Sequence, residues 1–313
     1  MASQAPTIGR VFVPGGMPEL TYVPRTERDL ERRLAEVEDN LCKLVVVTGA
    51  TKTGKTVLVR KVLSQDRPLV WIDGGLIKTE DDFWNECLQA FGDFYPIERN
   101  EEQSVSDETG TNSGAKVNLG PVGLNLGGQN KFSTGGKTGQ KAVRSGSLRS
   151  QAIKQMQKAC ATLVVDDFHY LERSLQGDIV RALKGAVFEG FAAVVIAIPH
   201  RRYDAVRVER EMNGRIESIK VPDWSASELI EIPKVGFPLL RMTISPELSK
   251  RLAEEAYGSP HLVQEFCKEL ARRVSADKTG SVDDVFSDDI FKLIAEHTGK
   301  VIFDKLASGP RLC

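Results

Sequence analysis

Short runs of β-branched and apolar residues recur along the first two thirds of the chain. Four of these runs have the length and the near-continuous hydrophobicity of strands that are buried on both faces of a parallel sheet. They cover residues 43–48, 69–73, 162–167 and 192–198, and a fifth candidate strand covers residues 216–221. The pattern therefore predicts a parallel sheet whose strands come from widely separated parts of the sequence.

Segments with apolar residues at helical spacing separate these runs. Leu30, Leu34 and Val37 predict a helix over residues 26–38, with Thr26 as its N-cap. Further helices are predicted over residues 55–63, 79–91 and 177–188. Because strands and helices alternate, the sequence predicts an α/β fold in which helices cover both faces of a parallel sheet.

Beyond residue 224 the pattern becomes purely helical. Helices are predicted near residues 225–232, 245–256, 260–274 and 284–306. The change of pattern predicts an α/β domain over residues 1–224, followed by a small helical domain over residues 225–313.

Residues from about 98 to 147 interrupt the first domain, because they are rich in Gly, Ser, Thr and Asn and poor in aromatic residues. We interpret them as a flexible insertion. Residues 116–126 alternate apolar and polar side chains about a Gly-Pro pair. This pattern is compatible with a small hairpin that packs on a neighbouring subunit, and equally with a disordered surface loop.

Composition narrows the class of protein. The 313 residues are 41% hydrophobic and 27% charged, as in a soluble globular protein. Lys and Arg total 42 against 43 Asp and Glu, so the net charge of −1 provides no overall basic field, and DNA binding would need a local basic patch. The five cysteines lack metal-ligand spacing. The N-terminus lacks a signal-peptide pattern and no apolar run is long enough to span a membrane, so we expect a cytoplasmic protein.

A glycine-rich motif follows the first predicted strand. It matches GxxxxGK[ST] at every fixed position and lies between a strand and a helix, as phosphate binding requires. Its glycines allow backbone N–H groups to surround phosphate oxygens, and the N-terminus of the following helix adds a positive dipole end. We expect Lys55 to contact the β- and γ-phosphates and the Thr56 hydroxyl to bind Mg²⁺. The predicted nucleotide-binding residues here are Gly49, Ala50, Thr51, Lys52, Thr53, Gly54, Lys55, Thr56 and Val57.

Two carboxylates end the third predicted strand. Asp166 and Asp167 follow the four residues 162–165 of the predicted strand. They therefore lie at the carboxyl end of a strand, where parallel sheets bind ligands. Asp166 is the candidate for the Mg²⁺ shell together with Thr56, and Asp167 is the candidate that polarises the attacking water. The alternative, an Asp-Asp turn that caps the next helix, is disfavoured by the upstream phosphate motif. Because aspartate is shorter than glutamate, we expect slow hydrolysis.

These motifs resemble those of the AAA+ and STAND branches of the P-loop ATPases, in particular the group around origin-recognition ATPases and archaeal-type ATP-binding proteins. The resemblance covers residues 17 to about 275. It implies a P-loop ATPase domain over residues 1–224 and a helical lid domain over residues 225–313, with ATP, ADP and Mg²⁺ as ligands.

The resemblance also implies contacts to the adenine base. Residues 20–25 resemble the segment that flanks adenine in this group, and Tyr22 and Val23 would make the contacts. The alternative for this segment is a strand end that packs on the core. Gly258-Ser259-Pro260 resembles the GxP element of the lid, in which the proline approaches the base. Without the resemblance, Pro260 is a proline at the first position of a helix.

Two further family features are only partly matched. After the fourth strand the chain has Pro199-His200-Arg201-Arg202 in place of the usual polar sensor, so His200 and Arg201 are the candidates. Arg215, just before the fifth strand, is the candidate for an arginine that reaches the γ-phosphate of a neighbouring subunit. The alternative is an ordinary surface arginine.

Two functions follow from this interpretation. The leading one is a Mg-ATP-binding ATPase that acts as a molecular switch, whose lid controls assembly into a homo-oligomer or the binding of a protein partner. The alternative is a DNA-transaction ATPase, a helper in replication or transposition, with a basic face. Its arginines would be Arg201, Arg202, Arg207, Arg210, Arg272 and Arg273.

Overall fold

The sheet has five parallel strands in the order β2-β3-β4-β1-β5. The structure is a computed structural model that describes residues 6–39, 41–63, 67–92, 147–198, 214–277 and 280–298. The strands are β1 Leu44–Gly49, β2 Leu69–Asp73, β3 Thr162–Asp166, β4 Ala193–Ala197 and β5 Ile216–Val221. All five match the runs predicted from the sequence to within one residue at either end.

The register of the strands brings their carboxyl ends to one edge of the sheet. Gly49 at the end of β1 pairs with Val221 at the end of β5. Asp73 at the end of β2 pairs with Asp166 at the end of β3.

Strand β1 lies between β4 and β5, and its residues are buried throughout. Helices packed on the sheet cover its side chains. For example, helices Leu30–Ala35 and Lys55–Val62 cover Val45 and Val47. This cover explains the run of apolar residues from Leu44 to Val47.

The first helix, α1 Ile8–Val11, packs on the helices of the C-terminal region. The helices of the α/β part that flank the sheet are α2 Leu30–Ala35, α3 Lys55–Val62, α4 Glu80–Gln89, α5 Leu148–Lys158 and α6 Arg173–Phe188. Apolar side chains of α2 and α3 share a core cluster with β1, β4 and β5. The predicted α/β fold, a parallel sheet with flanking helices, is thus confirmed.

The helix predicted over residues 26–38 is interrupted. Thr26–Arg28 and Glu36–Glu38 form 3₁₀ turns around α2, and Asp29 has a φ of 57° that no continuous helix allows. Thr26 begins the first turn and does not act as an N-cap. Leu30, Leu34 and Val37 are all buried, as the apolar periodicity predicts. Periodicity does not detect a single residue with a left-handed backbone.

The C-terminal region is helical, as predicted. Its helices are α7 Ala226–Leu239, α8 Pro246–Glu255, α9 Pro260–Asp277 and α10 Asp289–Thr298. Helix α7 extends beyond the predicted end at residue 232 and contains both Pro233 and Pro238. Burial of Leu229, Ile232 and Phe237 in the helical core compensates for the backbone hydrogen bonds that proline removes.

The N-terminal segment, which comprises residues 6–25, packs on these C-terminal helices. Val11 and Phe12 are fully buried in the cluster that α7, α8 and α9 form. Gln264 of α9 binds the segment twice, because its side chain accepts from the Val13 N–H and donates to the Thr21 hydroxyl. The N-terminal segment is therefore part of the core of the helical region.

Several predictions concern residues outside the described ranges. They include the insertion up to residue 146, the hairpin at 116–126, the sensor candidates His200 and Arg201, and helix continuation beyond residue 298. The domain boundary near residue 224 stays a prediction. Over the described part of the chain, no helix combines the length and the apolar character needed to cross a membrane.

Candidate nucleotide-binding site

The phosphate loop occupies the turn between β1 and α3. A Cβ atom on Gly49 would lie 2.5 Å from the Val221 carbonyl oxygen, so only glycine allows β5 to approach this closely. Lys52 and Gly54 have φ values of 64° and 85°, which turn the loop back towards the N-terminus of α3. Alternating right- and left-handed residues of this kind direct successive N–H groups towards one point, as anion-binding nests do.

The Lys55 ammonium group lies over the loop that precedes it. Its Nζ atom donates to the carbonyl oxygens of Gly49, at 3.1 Å, and Ala50, at 2.8 Å. Burial lowers the pKa of Lys55, although the carboxylates of Asp166 and Asp167 act in the opposite direction. A cation held at the mouth of a ring of backbone N–H groups is suited to bind a polyphosphate.

Thr56 and Asp166 come together across 110 residues of sequence. The Thr56 hydroxyl donates to Asp166 Oδ2 at 3.0 Å. Burial raises the pKa of Asp166, while the hydrogen bonds from Thr56 and from the Asp167 N–H oppose this effect. The sequence predicted that both residues would bind the same Mg²⁺, and the structure places them in contact.

These residues fit a magnesium ion that is also bound by phosphates. A hydroxyl and a carboxylate are oxygen ligands of the kind that Mg²⁺ prefers, and Mg²⁺ at such sites keeps few protein ligands. Among the residues described, no group of three or more His, Cys, Asp and Glu side chains is arranged to hold a metal ion by itself. Thr56 and Asp166 would hold Mg²⁺ together with phosphate oxygens of the nucleotide.

Asp167 is held beside Asp166 by an unusual backbone. Its φ is 49°, its N–H donates to Asp166 Oδ1 at 2.9 Å, and its side chain is 53% exposed.

Gly74, after β2, makes room for this turn. A Cβ atom there would lie 2.7 Å from the Asp167 carbonyl oxygen and 3.0 Å from that of Asp166. Sequence analysis did not identify Gly74, although the Asp-Gly-Gly sequence after a strand is a possible signal.

A cavity of about 590 Å³ lies beside the phosphate loop. Tyr22, Val23 and Pro260, the three residues predicted to contact adenine, all line it together with Lys55 and Thr56. Residues of the N-terminal segment, the phosphate loop and helix α9 thus line one open cavity. Contact of these three residues with a base remains a prediction.

Glu31 fixes the segment that carries Tyr22. Its Oε1 atom accepts from the Tyr22 hydroxyl at 2.8 Å and from the Arg25 N–H at 2.9 Å. Burial raises the pKa of Tyr22 far above its ordinary value, and the Glu31 carboxylate adds to the effect. Tyr22 therefore remains a neutral hydrogen-bond donor to Glu31. Sequence analysis did not identify Glu31.

Arg215 lies apart from this site. It precedes β5, at the opposite edge of the sheet, where its guanidinium covers the Phe188 ring at 4.7 Å. Its role towards a neighbouring subunit stays a prediction.

His169 lies beside the acid pair. It is buried, its Nδ1 atom is 3.9 Å from Asp167 Oδ1, and its ring packs beside that of Tyr170, with centroids 4.3 Å apart.

The parallel sheet with flanking helices, the phosphate loop after β1 and the helical region after β5 together form a P-loop NTPase fold. Two solved structures share this fold. The chain is similar to a Walker-type ATPase of Pyrococcus abyssi, with 17% identity, a TM-score of 0.57, and coverage of 92% of this chain and 75% of that chain. It is also similar to Cdc6p from Pyrobaculum aerophilum, with 14% identity, a TM-score of 0.55, and coverage of 88% and 68%.

Sequence comparison adds nothing more specific. No protein-family model matches the chain, and no curated protein matches it. At these identities the likeness to the solved structures establishes the fold alone, so membership of the STAND subgroup stays a prediction.

Proposed function

We propose that this protein binds Mg-ATP in the phosphate loop and the adjoining cavity and hydrolyses it slowly. The contact between Thr56 and Asp166 carries the proposal, because it joins the two motifs that would hold one Mg²⁺ against a triphosphate. When bound, Mg²⁺ would neutralise charge on the phosphate oxygens.

Each residue of the site has a distinct role in this proposal. The backbone N–H groups of residues 49–56 bind the phosphates, and the Lys55 ammonium exchanges its carbonyl partners for phosphate oxygens. The exposed Asp167 carboxylate orients a water molecule and accepts its proton. Tyr22, Val23 and Pro260 bind the base from two sides of the cavity.

We further propose that the nucleotide controls a switch. The cavity wall combines the phosphate loop with residues of α9, such as Pro260 and Gln264, and with the N-terminal segment that packs on the helical region. A nucleotide would contact all three parts at once and so favour one arrangement of the helical region. A second copy of this chain or a protein partner would then bind the arrangement that ATP favours.

The replacement Lys55→Ala tests the assignment of the site. We expect it to abolish phosphate release and to weaken Mg-ATP binding by at least about tenfold, because a hydrogen-bonded charge to phosphate is lost. Isothermal titration calorimetry measures the binding and a phosphate-release assay measures turnover. Lys234→Ala is the matched control, because Lys234 is 66% exposed on α7 and lies outside the cavity.

Hydrolysis at the wild-type rate by the Lys55→Ala variant would refute this site. Binding of Mg-ATP without phosphate release in the wild-type protein would leave the binding site in place and refute the ATPase activity. The switch is tested by measuring molecular mass in solution with ATP, with ADP and without nucleotide. An unchanged mass together with an unchanged protease-digestion pattern would contradict it.

The described residues give the DNA-transaction alternative no specific support. Of its six candidate arginines, Arg272 and Arg273 lie in the described ranges. Arg273 binds Asp289 and Glu269, and Arg272 lies 3.8 Å from Glu269. Carboxylates thus neutralise these two charges, and they do not form a basic face.

A further inference from the structure

Trp224 contacts the phosphate loop from outside the motif. It lies in the link between β5 and α7, and its indole Nε1–H donates to the Thr53 carbonyl oxygen at 2.9 Å. This hydrogen bond joins residues 171 positions apart.

The bond has a consequence for the next N–H group of the loop. The peptide that joins Thr53 to Gly54 is planar and trans, so its carbonyl and its N–H point in opposite directions. Since the Thr53 carbonyl is held towards Trp224, the Gly54 N–H is held away from it. The carbonyl groups of Gly49 and Ala50 accept hydrogen bonds from Lys55, within the motif. The Thr53 carbonyl accepts its bond from Trp224, in the link between β5 and α7.

We propose that Trp224 is a positioning residue for phosphate binding, which aims the Gly54 N–H at the polyphosphate through the Thr53 carbonyl. This inference rests on the proposed nucleotide-binding function. The Trp224 side chain does not touch the reacting atoms in this assignment. It acts by restricting one peptide plane, so less conformational freedom is lost when the nucleotide binds.

The surroundings of Trp224 hold its indole ring in place. The Arg25 guanidinium covers the ring at 4.8 Å from the centroid, and the Arg25 side chain is only 4% exposed. Arg25 is fixed by Glu228, at 3.0 and 3.3 Å, and by the carbonyl oxygens of Pro222 and Asp223. A cation that is desolvated and held by four hydrogen bonds has little freedom to move away from the ring.

The backbone of Trp224 also contacts the helical region. Its N–H donates to the Gly258 carbonyl oxygen at 3.4 Å, in the turn that leads to Pro260. A Cβ atom on Gly258 would lie 3.2 Å from the Trp224 carbonyl oxygen, and the φ of Gly258 is 76°. Trp224 therefore connects the turn before α9 with the phosphate loop. A displacement of that turn would be transmitted to the Thr53–Gly54 peptide.

The replacement Trp224→Phe removes the N–H donor and keeps an aromatic ring. We expect Mg-ADP and Mg-ATP to bind this variant about three- to tenfold more weakly, which corresponds to the loss of one hydrogen bond. Trp84→Phe is the matched control, because the indole of Trp84 donates to Glu80 in α4 and lies outside the cavity. The control should bind both nucleotides with wild-type affinity.

A spectroscopic measurement on the wild-type chain separates positioning from simple packing. The chain has three tryptophans, so ¹⁵N labelling gives three indole N–H signals, and the Trp224 signal is the one that Trp224→Phe lacks. We expect Mg-ADP, and also pyrophosphate with Mg²⁺, to shift the Trp224 signal and to leave the Trp84 signal unchanged. Pyrophosphate carries no base, so its effect must come through the phosphate loop.

The outcomes distinguish this inference from the function on which it rests. Failure of the wild-type protein to bind Mg-ADP and Mg-ATP would overturn the proposed function. Wild-type binding by Trp224→Phe, or a Trp224 signal that pyrophosphate leaves unmoved, would overturn the positioning role alone. If circular dichroism shows that Trp224→Phe does not fold, the Trp224 signal is assigned by replacing each of the other two tryptophans in turn. The pyrophosphate titration of the wild-type chain then decides whether Trp224 has the positioning role.

Discussion

Gly236 of helix α7 and Phe12 of the N-terminal segment are in direct contact, and no larger residue would fit at position 236. A Cβ atom on Gly236 would lie 2.3 and 2.5 Å from two ring atoms of Phe12 and 3.2 Å from Thr21 Cγ2. The Phe12 ring also packs against Phe237, with centroids 5.0 Å apart. The glycine lets the Phe12 ring enter the core that helices α7, α8 and α9 form.

The first prediction concerns this contact. Gly236→Ala should lower the free energy of unfolding by about 1–3 kcal/mol, since overpacking outweighs the gain in helix propensity. Chemical denaturation followed by circular dichroism measures the change. Gly185→Ala is the control, because no atom lies within 4 Å of a Cβ at that helical position. A Gly236→Ala protein as stable as the control would show that the N-terminal segment does not occupy this position.

The second prediction concerns the turn that carries the acid pair. Gly74→Ala should reduce ATP turnover by about tenfold or more, because the new Cβ would push against the backbone of Asp166 and Asp167. Nucleotide affinity should fall less than turnover, since the phosphate loop is unchanged. Steady-state phosphate release and calorimetry give the two quantities. Gly9→Ala, whose Cβ would meet no atom within 4 Å, should leave both unchanged.

The third prediction concerns the buried ion pair between Arg25 and Glu228. Burial by itself would raise the pKa of Glu228, but hydrogen bonds from Arg25 and the Ser225 backbone outweigh it and hold the pKa at about 2. Because this value is below the ordinary 4.5, the charged form stabilises the fold above about pH 4.5, and this contribution is lost as the pH falls towards 2.

Glu228→Gln should therefore lower the free energy of unfolding at pH 7 by about 3 kcal/mol, because it leaves the Arg25 guanidinium buried without its carboxylate. Below about pH 4.5 the wild-type protein should lose stability faster than the variant, so that the difference narrows. Denaturant titrations between pH 3 and pH 7, a range that includes the ordinary pKa of 4.5, test this. Glu254→Gln removes a carboxylate from an exposed pair with Lys250 and should change stability by only a few tenths of a kcal/mol. A constant difference across this pH range would contradict the assignment.

The fourth prediction concerns Arg215. Its carbonyl accepts from the Leu44 N–H at the amino edge of the sheet, about 20 Å along β5 from the phosphate-loop edge. It therefore does not reach the nucleotide site of its own chain. If it completes the site of a neighbouring subunit, Arg215→Ala and Asp166→Asn should each be inactive alone and regain phosphate release when mixed. No recovery on mixing would leave Arg215 as a surface arginine that stacks on Phe188.

Much of the fold follows from local pattern. Each strand is a short apolar run, and the phosphate loop is a fixed spacing of glycine, lysine and threonine, so both are readable without any partner. The helix predicted to end at residue 232 shows the limit. Proline forbids one hydrogen bond locally, but packing of α7 on α9 and Phe12 continues the helix to Leu239.

The sequence by itself determined the α/β order of elements, the phosphate loop and the candidate acid pair, because each depends on neighbouring residues. Tertiary structure alone decided which distant groups support them. Trp224 meets Thr53 across 171 residues, and Arg25 meets Glu228 across 203. Gly74 faces the backbone of Asp166 only because β2 pairs with β3. Such contacts depend on how the chain closes on itself, and no local spacing encodes them.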